Sequence, residues 1–337
     1  MPESKPTPAV SPEDLVNHYE RVANRLLEGA VVPFLGAGVN LCDRPPGFEW
    51  APDQKEFLPR GSELADFLAR QFVYPGTGRD LLQVSMYGEL EEGPARLYDE
   101  LDFVFRKRYP VTSIHRFLAA LPRPAPLARL PENRYPLLAT TNYDDLIEQA
   151  FDADEVRQPY DLVFFLPGDK HKGSFWHQAP GEPPRPIPVG TANEYNYPFF
   201  EQRPMILKIH GTINLVDEKL EGYVISEDHY IDYLAEDPLE TLLPSRVVTK
   251  LLKSHLWFLG YSLSDWNFRV FLRRLRRSDR YQYRGWAVKE EVRSDEKTYW
   301  DKQGVDVFPM TLQEYIPGLQ ASLLTRLPKQ STGASPP

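Results

Sequence analysis

The chain has a single cysteine in 337 residues. Cys42 therefore has no internal disulfide partner, and a zinc site built on several thiolates is excluded with it. No apolar run approaches the roughly 20 residues that span a bilayer. Met1 to Pro12 also lacks the basic and apolar regions of a signal peptide, so the expected location is the cytoplasm, without membrane association. Basic charge is short as well: 39 Lys and Arg stand against 48 Asp and Glu, a formal net charge of −9. Such a surface repels a polyanion at long range, which argues against direct nucleic-acid binding. There is no internal repeat.

Proline, by contrast, is plentiful, and its 33 residues are about double the usual share. The prolines concentrate at 2–12, 122–136, 180–188 and 328–337, which predicts disordered tails at 1–11 and 328–337 and two long internal loops. The domain between the tails is expected at 12–327. Its composition, 42% hydrophobic and 26% charged, suits a globular protein.

Ser11-Pro12-Glu13-Asp14 opens a helix with a capping serine, a proline in the first turn and acidic residues beside it. The span 60–121 reads mainly helical and is too long for one crossover, so a small helical module is expected there. The span 152–204 is rich in Pro, Gly and aromatics without a sustained period and is expected to be an irregular insertion, either a lid or partner surface or plain decoration. Strands at 205–209, 256–260, 285–288 and 305–308 alternate with helices at 227–235, 264–277 and 295–303. A last helix follows the capping box Thr311-Leu312-Gln313-Glu314. The fold class that results is α/β: a Rossmann-like parallel sheet with helices on both faces and a smaller inserted helical module.

Four strand-like runs break into small or polar clusters. They are Gly36-Ala37-Gly38-Val39-Asn40, Thr140-Thr141-Asn142-Tyr143-Asp144, His210-Gly211 and Gly260-Tyr261-Ser262. In an open parallel sheet such clusters lie at the carboxyl ends of strands, where ligands bind. Gly36-Ala37-Gly38 fits a phosphate-binding turn or a plain tight turn; position 41 is Leu, so the third glycine of a dinucleotide fingerprint is missing. Asn142 has the chemistry to hold ribose hydroxyls or a water, and Asp144 to accept from a carboxamide, or either simply caps the next helix. His210 is a candidate proton carrier or a satisfied core histidine. Ser264 and Asp265 fit helix capping, which leaves Ser262 unexplained; Ser264 also stands where a nucleophile elbow needs glycine. Gly168 to Ser174 has phosphate-loop glycine spacing without the lysine, and His171 and His177 lack partners for a metal site.

In this order, from about Val31 to about Tyr315, the four clusters resemble the sirtuin-like fold, specifically the bacterial sirtuin-like NAD hydrolases of anti-phage defence. The likeness is to the short members that assemble with a HerA-type hexameric ATPase. The resemblance implies NAD as substrate, no metal, a homo-oligomer and such an ATPase as partner. It implies that Gly36, Ala37 and Gly38 cradle the diphosphate with Ser262 opposite, and that Gly260 permits close approach of the cofactor. Asn142 would hold the nicotinamide ribose and the attacking water, Asp144 would face the carboxamide, and His210 would act at the ribose hydroxyls. Asn40 and Thr141 complete the implied cofactor-binding set. Two departures stand out. The four-cysteine zinc module of protein-deacylating sirtuins cannot be built from Cys42 alone, and Thr141 and Tyr143 replace the Gln and Ile of their Thr-Gln-Asn-Ile-Asp turn. The alternatives to hydrolysis are a regulatory or structural subunit binding NAD or ADP-ribose, and an NAD-dependent deacylase.

Overall fold

Val31–Leu35 (β1) is buried at all five positions, as a strand covered on both faces must be. The structure, a computed structural model, describes residues 10–121, 135–167, 173–213, 220, 222–229, 239–261, 269, 272 and 283–326. On one side of β1 lie Leu137–Thr140 (β2) and Met205–Lys208 (β6), and on the other His255–Leu259 (β9), Gly285–Lys289 (β10) and Val305–Pro309 (β11), all parallel. Counted along the chain, the order β6-β2-β1-β9-β10-β11 is the 3-2-1-4-5-6 order of a doubly wound dinucleotide-binding sheet. The order reverses between β1 and β9, so the crevice outside their carboxyl ends is the switch point where such sheets bind ligands.

Side chains alternate across the sheet. Val32, Phe34, Leu137, Leu207 and Phe258 enter one core, which is covered by Ser245–Leu252 (α7). Val31, Leu35, Leu138, Ile206, Trp257 and Leu259 enter the other. That second face carries Pro12–Leu27 (α1), Ser113–Ala119 (α5), Leu146–Asp152 (α6) and Leu312–Leu324 (α8). Each wholly buried Leu, Val or Phe contributes roughly 1.5–3 kcal/mol. The expected caps form: Ser11 accepts from the Asp14 amide at 3.1 Å, and Thr311 and Glu314 make the reciprocal capping box.

Gly61–Gln71 (α2), Leu81–Glu92 (α3) and Pro94–Phe105 (α4) share a third core with Leu146, Ile213, Tyr223 and Ile225. This is the inserted helical module. The expected span 60–121 is too long, because α5 packs on the sheet with α1 and α6.

The irregular insertion expected at 152–204 is corrected further. Asp161–Leu166 (β3) pairs parallel to β6, and Ser174–Gln178 (β4) and Arg185–Pro186 (β5) continue the sheet antiparallel. Among the described residues this sheet has nine strands. Beyond β6, Gly211–Thr212 (β7) and Gly222–Tyr223 (β8) form a small ribbon. Of the other expected elements, the helix at 227–235 is described only to His229 and the one at 264–277 only at Arg269 and Leu272. Ser262, Ser264, Asp265, residues 168–172 and the tails 1–9 and 328–337 lie outside the described residues. No helix among the described residues is long and apolar enough to cross a membrane.

Candidate functional site

The switch point is closed by direct backbone contact. The Gly36 amide donates to Leu259 O at 2.9 Å, and the Gly38 amide donates to Gly260 O at 2.9 Å. A Cβ on Gly38 would lie 2.7 Å from Gly260 O, and one on Gly260 would lie 2.4 Å from the Val39 amide nitrogen. Gly260 also has φ +68, the left-handed region that favours glycine. These glycines thus let two turns touch. The Gly36 and Gly38 N–H groups are both used in that contact, ahead of the short helix 37–41.

The turn after β2 is fastened to the ends of β1 and β9. Asn142 Nδ2 donates to Gly36 O at 3.3 Å, the Thr141 amide donates to Leu35 O at 3.2 Å, and the Thr141 hydroxyl meets the Tyr261 hydroxyl at 2.9 Å. Thr140 Oγ1 donates to Leu35 O at 3.0 Å and accepts from the Asn142 amide at 2.9 Å, which fixes the start of the turn. Asn40 Nδ2 donates to Asp144 Oδ2 at 2.7 Å, and the other carboxylate oxygen accepts from the Leu146 amide at 3.1 Å. Asp144, one residue before the N-cap of α6, therefore satisfies the first amide of that helix while it holds Asn40. With about four acceptor positions on a carboxylate, it retains capacity for a further donor.

His210 comes to the same place through register. Thr140 pairs with Lys208 across β2 and β6, and the ladder continues through the Ile209 amide to Thr140 O at 3.0 Å. Asn142 and His210 each stand two residues past that pair, just beyond the ends of the adjacent strands β2 and β6. Gly211, at φ +102, turns the chain sharply away after His210; a Cβ there would lie 2.0 Å from Gly222 O. Burial lowers the His210 imidazole from 6.5 to about 3, so the ring is neutral at physiological pH.

All four strand tips are thus joined, and Asn40, Asn142, Asp144 and His210 are all buried there. Asn40 Oδ1 is buried without a hydrogen-bond partner, an acceptor of the kind a carboxamide N–H₂ requires. This orphan and the position at the switch point fit a dinucleotide with an amide at one end. Ser262, expected opposite the diphosphate, falls outside the described residues. Among the described residues no three His, Cys, Asp or Glu side chains gather as a metal site.

Sequence reading gave no role to Lys208 or Tyr143, two residues beside this site. Lys208, wholly buried, donates to Tyr143 O, Asp144 O and Glu148 Oε1 at 3.1, 2.6 and 2.8 Å. Tyr143 donates to Val224 O at 2.7 Å and packs edge-on against Tyr223 and Phe105, tying the turn to the helical module. The available signal was a lone charge closing the apolar run Met205 to Ile209. His177 lies elsewhere, beside Asp161 at 3.1 Å and Tyr195 at 2.9 Å.

Comparison with known families matches residues 136–308, just over half of the chain, to a SIR2-like domain. No curated protein matches.

Proposed function

The chain belongs to the SIR2-like family, and from that premise we propose that it hydrolyses NAD at the bond between nicotinamide and ribose. The observation that supports this reading is the β2–β6 register, which pairs Thr140 with Lys208, two residues before Asn142 and His210 respectively, next to the β1–β9 switch point. Water adds to the ribose carbon, the carbon–nitrogen bond breaks with its electron pair going to nicotinamide, and the proton of water leaves to solvent. Nicotinamide departs as a neutral ring from a cation, so positive charge develops on the ribose. The site has to orient the water and shield that charge.

In this reading the Asn142 amide orients the water and the ribose, and Asn40 and Asp144 recognise the carboxamide. An imidazole whose pKa is about 3 does not hold a proton at neutral pH. His210 then acts as an acceptor for ribose hydroxyls rather than as a proton reservoir. Nicotinamide release from Asn142→Ala and His210→Ala tests the assignment: both should lose turnover and stay folded, and full activity in both refutes it.

A second reading is favoured by the fact that the Asn142 and Asp144 side chains already have partners within the chain. In it the protein binds NAD or ADP-ribose as a regulatory subunit. Calorimetry showing tight binding with intact NAD recovered would support it. An NAD-dependent deacylase is the weaker alternative, since Cys42 alone cannot build the zinc module; O-acyl-ADP-ribose formed from an acylated peptide would revive it.

Depletion of NAD in anti-phage defence, in a homo-oligomer assembled with a HerA-type ATPase, is the biological role we propose for this activity. Light scattering of the co-expressed proteins tests it, and separate elution of the two rejects it.

A further inference from the structure

Lys208 has three acceptors around an ammonium that carries three N–H groups, so every donor is used. A wholly buried lysine in a parallel strand is costly, and a buried ion pair can often be exchanged for apolar residues with no loss of stability. Stability alone does not account for Lys208 and Glu148. Their placement does: the two carbonyls belong to Tyr143 and Asp144, which join Asn142 to α6. The α6 ladder begins only at Asp145, whose carbonyl accepts from the Gln149 amide at 2.8 Å. The Asp144 carbonyl thus lies outside the helix, and Lys208 supplies its donor at 2.6 Å. Tyr143 O also accepts from the Ile213 amide at 3.0 Å. Lys208 itself precedes His210 by two residues.

We propose that Lys208 is a positioning residue, a clamp between the strand that presents His210 and the turn that presents Asn142, with Glu148 as its counter-charge. Its consequence for catalysis rests on the hydrolase reading; the clamp itself rests on the contacts alone. Burial raises the Glu148 carboxyl and the neighbouring Lys208 charge opposes that rise, as expected of a pair held out of water.

Lys208→Met alone strands Glu148 as a buried, unpaired carboxylate and so confounds folding with function. The test is the double variant Lys208→Met/Glu148→Met, which removes both charges together, alongside Glu148→Gln, which keeps the lysine on the two carbonyls. For the double variant the clamp predicts native thermal stability with kcat lower by about 100-fold, as expected for a misplaced catalytic group. KM should stay within about threefold, because binding groups are untouched. Amide exchange at 143–146 should quicken by about tenfold while β9 and β10 stay protected. Glu148→Gln should keep kcat within about threefold. Wild-type kcat in the double variant, unchanged exchange at 143–146, or a 100-fold loss in Glu148→Gln overturns the clamp. If the wild-type chain releases no nicotinamide, the hydrolase reading fails on that result and the exchange measurement still decides the clamp.

Discussion

The Gly38 amide and the Gly260 carbonyl are hydrogen-bonded at 2.9 Å, although 222 positions separate them in the chain (260 − 38). The contact seals the point at which the sheet reverses its winding, and both residues must lack a side chain for it to exist. Gly260→Ala is predicted to cost roughly 1–3 kcal/mol through its left-handed backbone alone, with more from the clash against Val39. Denaturant unfolding measures the loss, and an unchanged midpoint would show that the turns do not depend on their contact.

Asn142→Asp preserves shape and removes the donor to Gly36 O. An oxygen would then face a carbonyl oxygen. Turnover is predicted to fall by about 10²–10³-fold, the usual effect of losing one preorganised polar group. Steady-state nicotinamide release is the measurement, and a change under threefold would remove Asn142 from the reacting centre.

His18, His115 and His210 are each drawn by burial from 6.5 to about 3, with a nearby arginine adding to the effect at His18 and His115. Between those pH values the unfolded chain binds protons that the folded chain refuses. Stability is therefore full above pH 6.5 and falls as pH drops toward 3, by up to about 1.4 kcal/mol per pH unit for each histidine. Unfolding midpoints should decline between pH 6.5 and 5, before most carboxylates titrate. Activity should show no ionisation of His210 in that window, so a pH–rate profile with an acid limb at 6.5 that vanishes in His210→Gln would contradict the assignment.

Cys42 is buried, and burial pushes its thiol up to about 12, with the Asp43 charge adding. It should resist thiol reagents in the native protein and react only on unfolding. Stoichiometric labelling of the native chain at neutral pH would contradict this.

The central strands were legible because a parallel strand buried on both faces reads as an unbroken apolar run, as in Val31 to Leu35 and Leu256 to Leu259. β3 has the same character, Leu162 to Leu166, yet prolines and glycines surround it and its position between β6 and β4 lies outside the simple winding order. α3 fell within the span read as mainly helical but was not singled out, because its apolar residues show no face; it packs through Val84, Ser85 and Gly88, and Phe72 fills the space where a Gly88 side chain would be. α7 was missed too, since Arg246 to Leu252 mixes β-branched residues with a lysine that is itself buried.

The four site clusters were legible one by one as strand tips. Their mutual bonds were not. Nothing local ties Asn40 to Asp144, 104 positions away, or reveals that the charge at Lys208 is turned inward onto the Tyr143 and Asp144 carbonyls. Such contacts follow from strand order, which is a property of the whole chain.

The central claim is that the joined strand tips cleave the nicotinamide–ribose bond. Chromatography of NAD incubated with the chain, alone and with a HerA-type ATPase, tests it most directly. The account predicts nicotinamide and ADP-ribose in equal amounts from the wild type and neither from Asn142→Ala. NAD recovered intact from the wild type under both conditions, or equal yields from the two proteins, would contradict it.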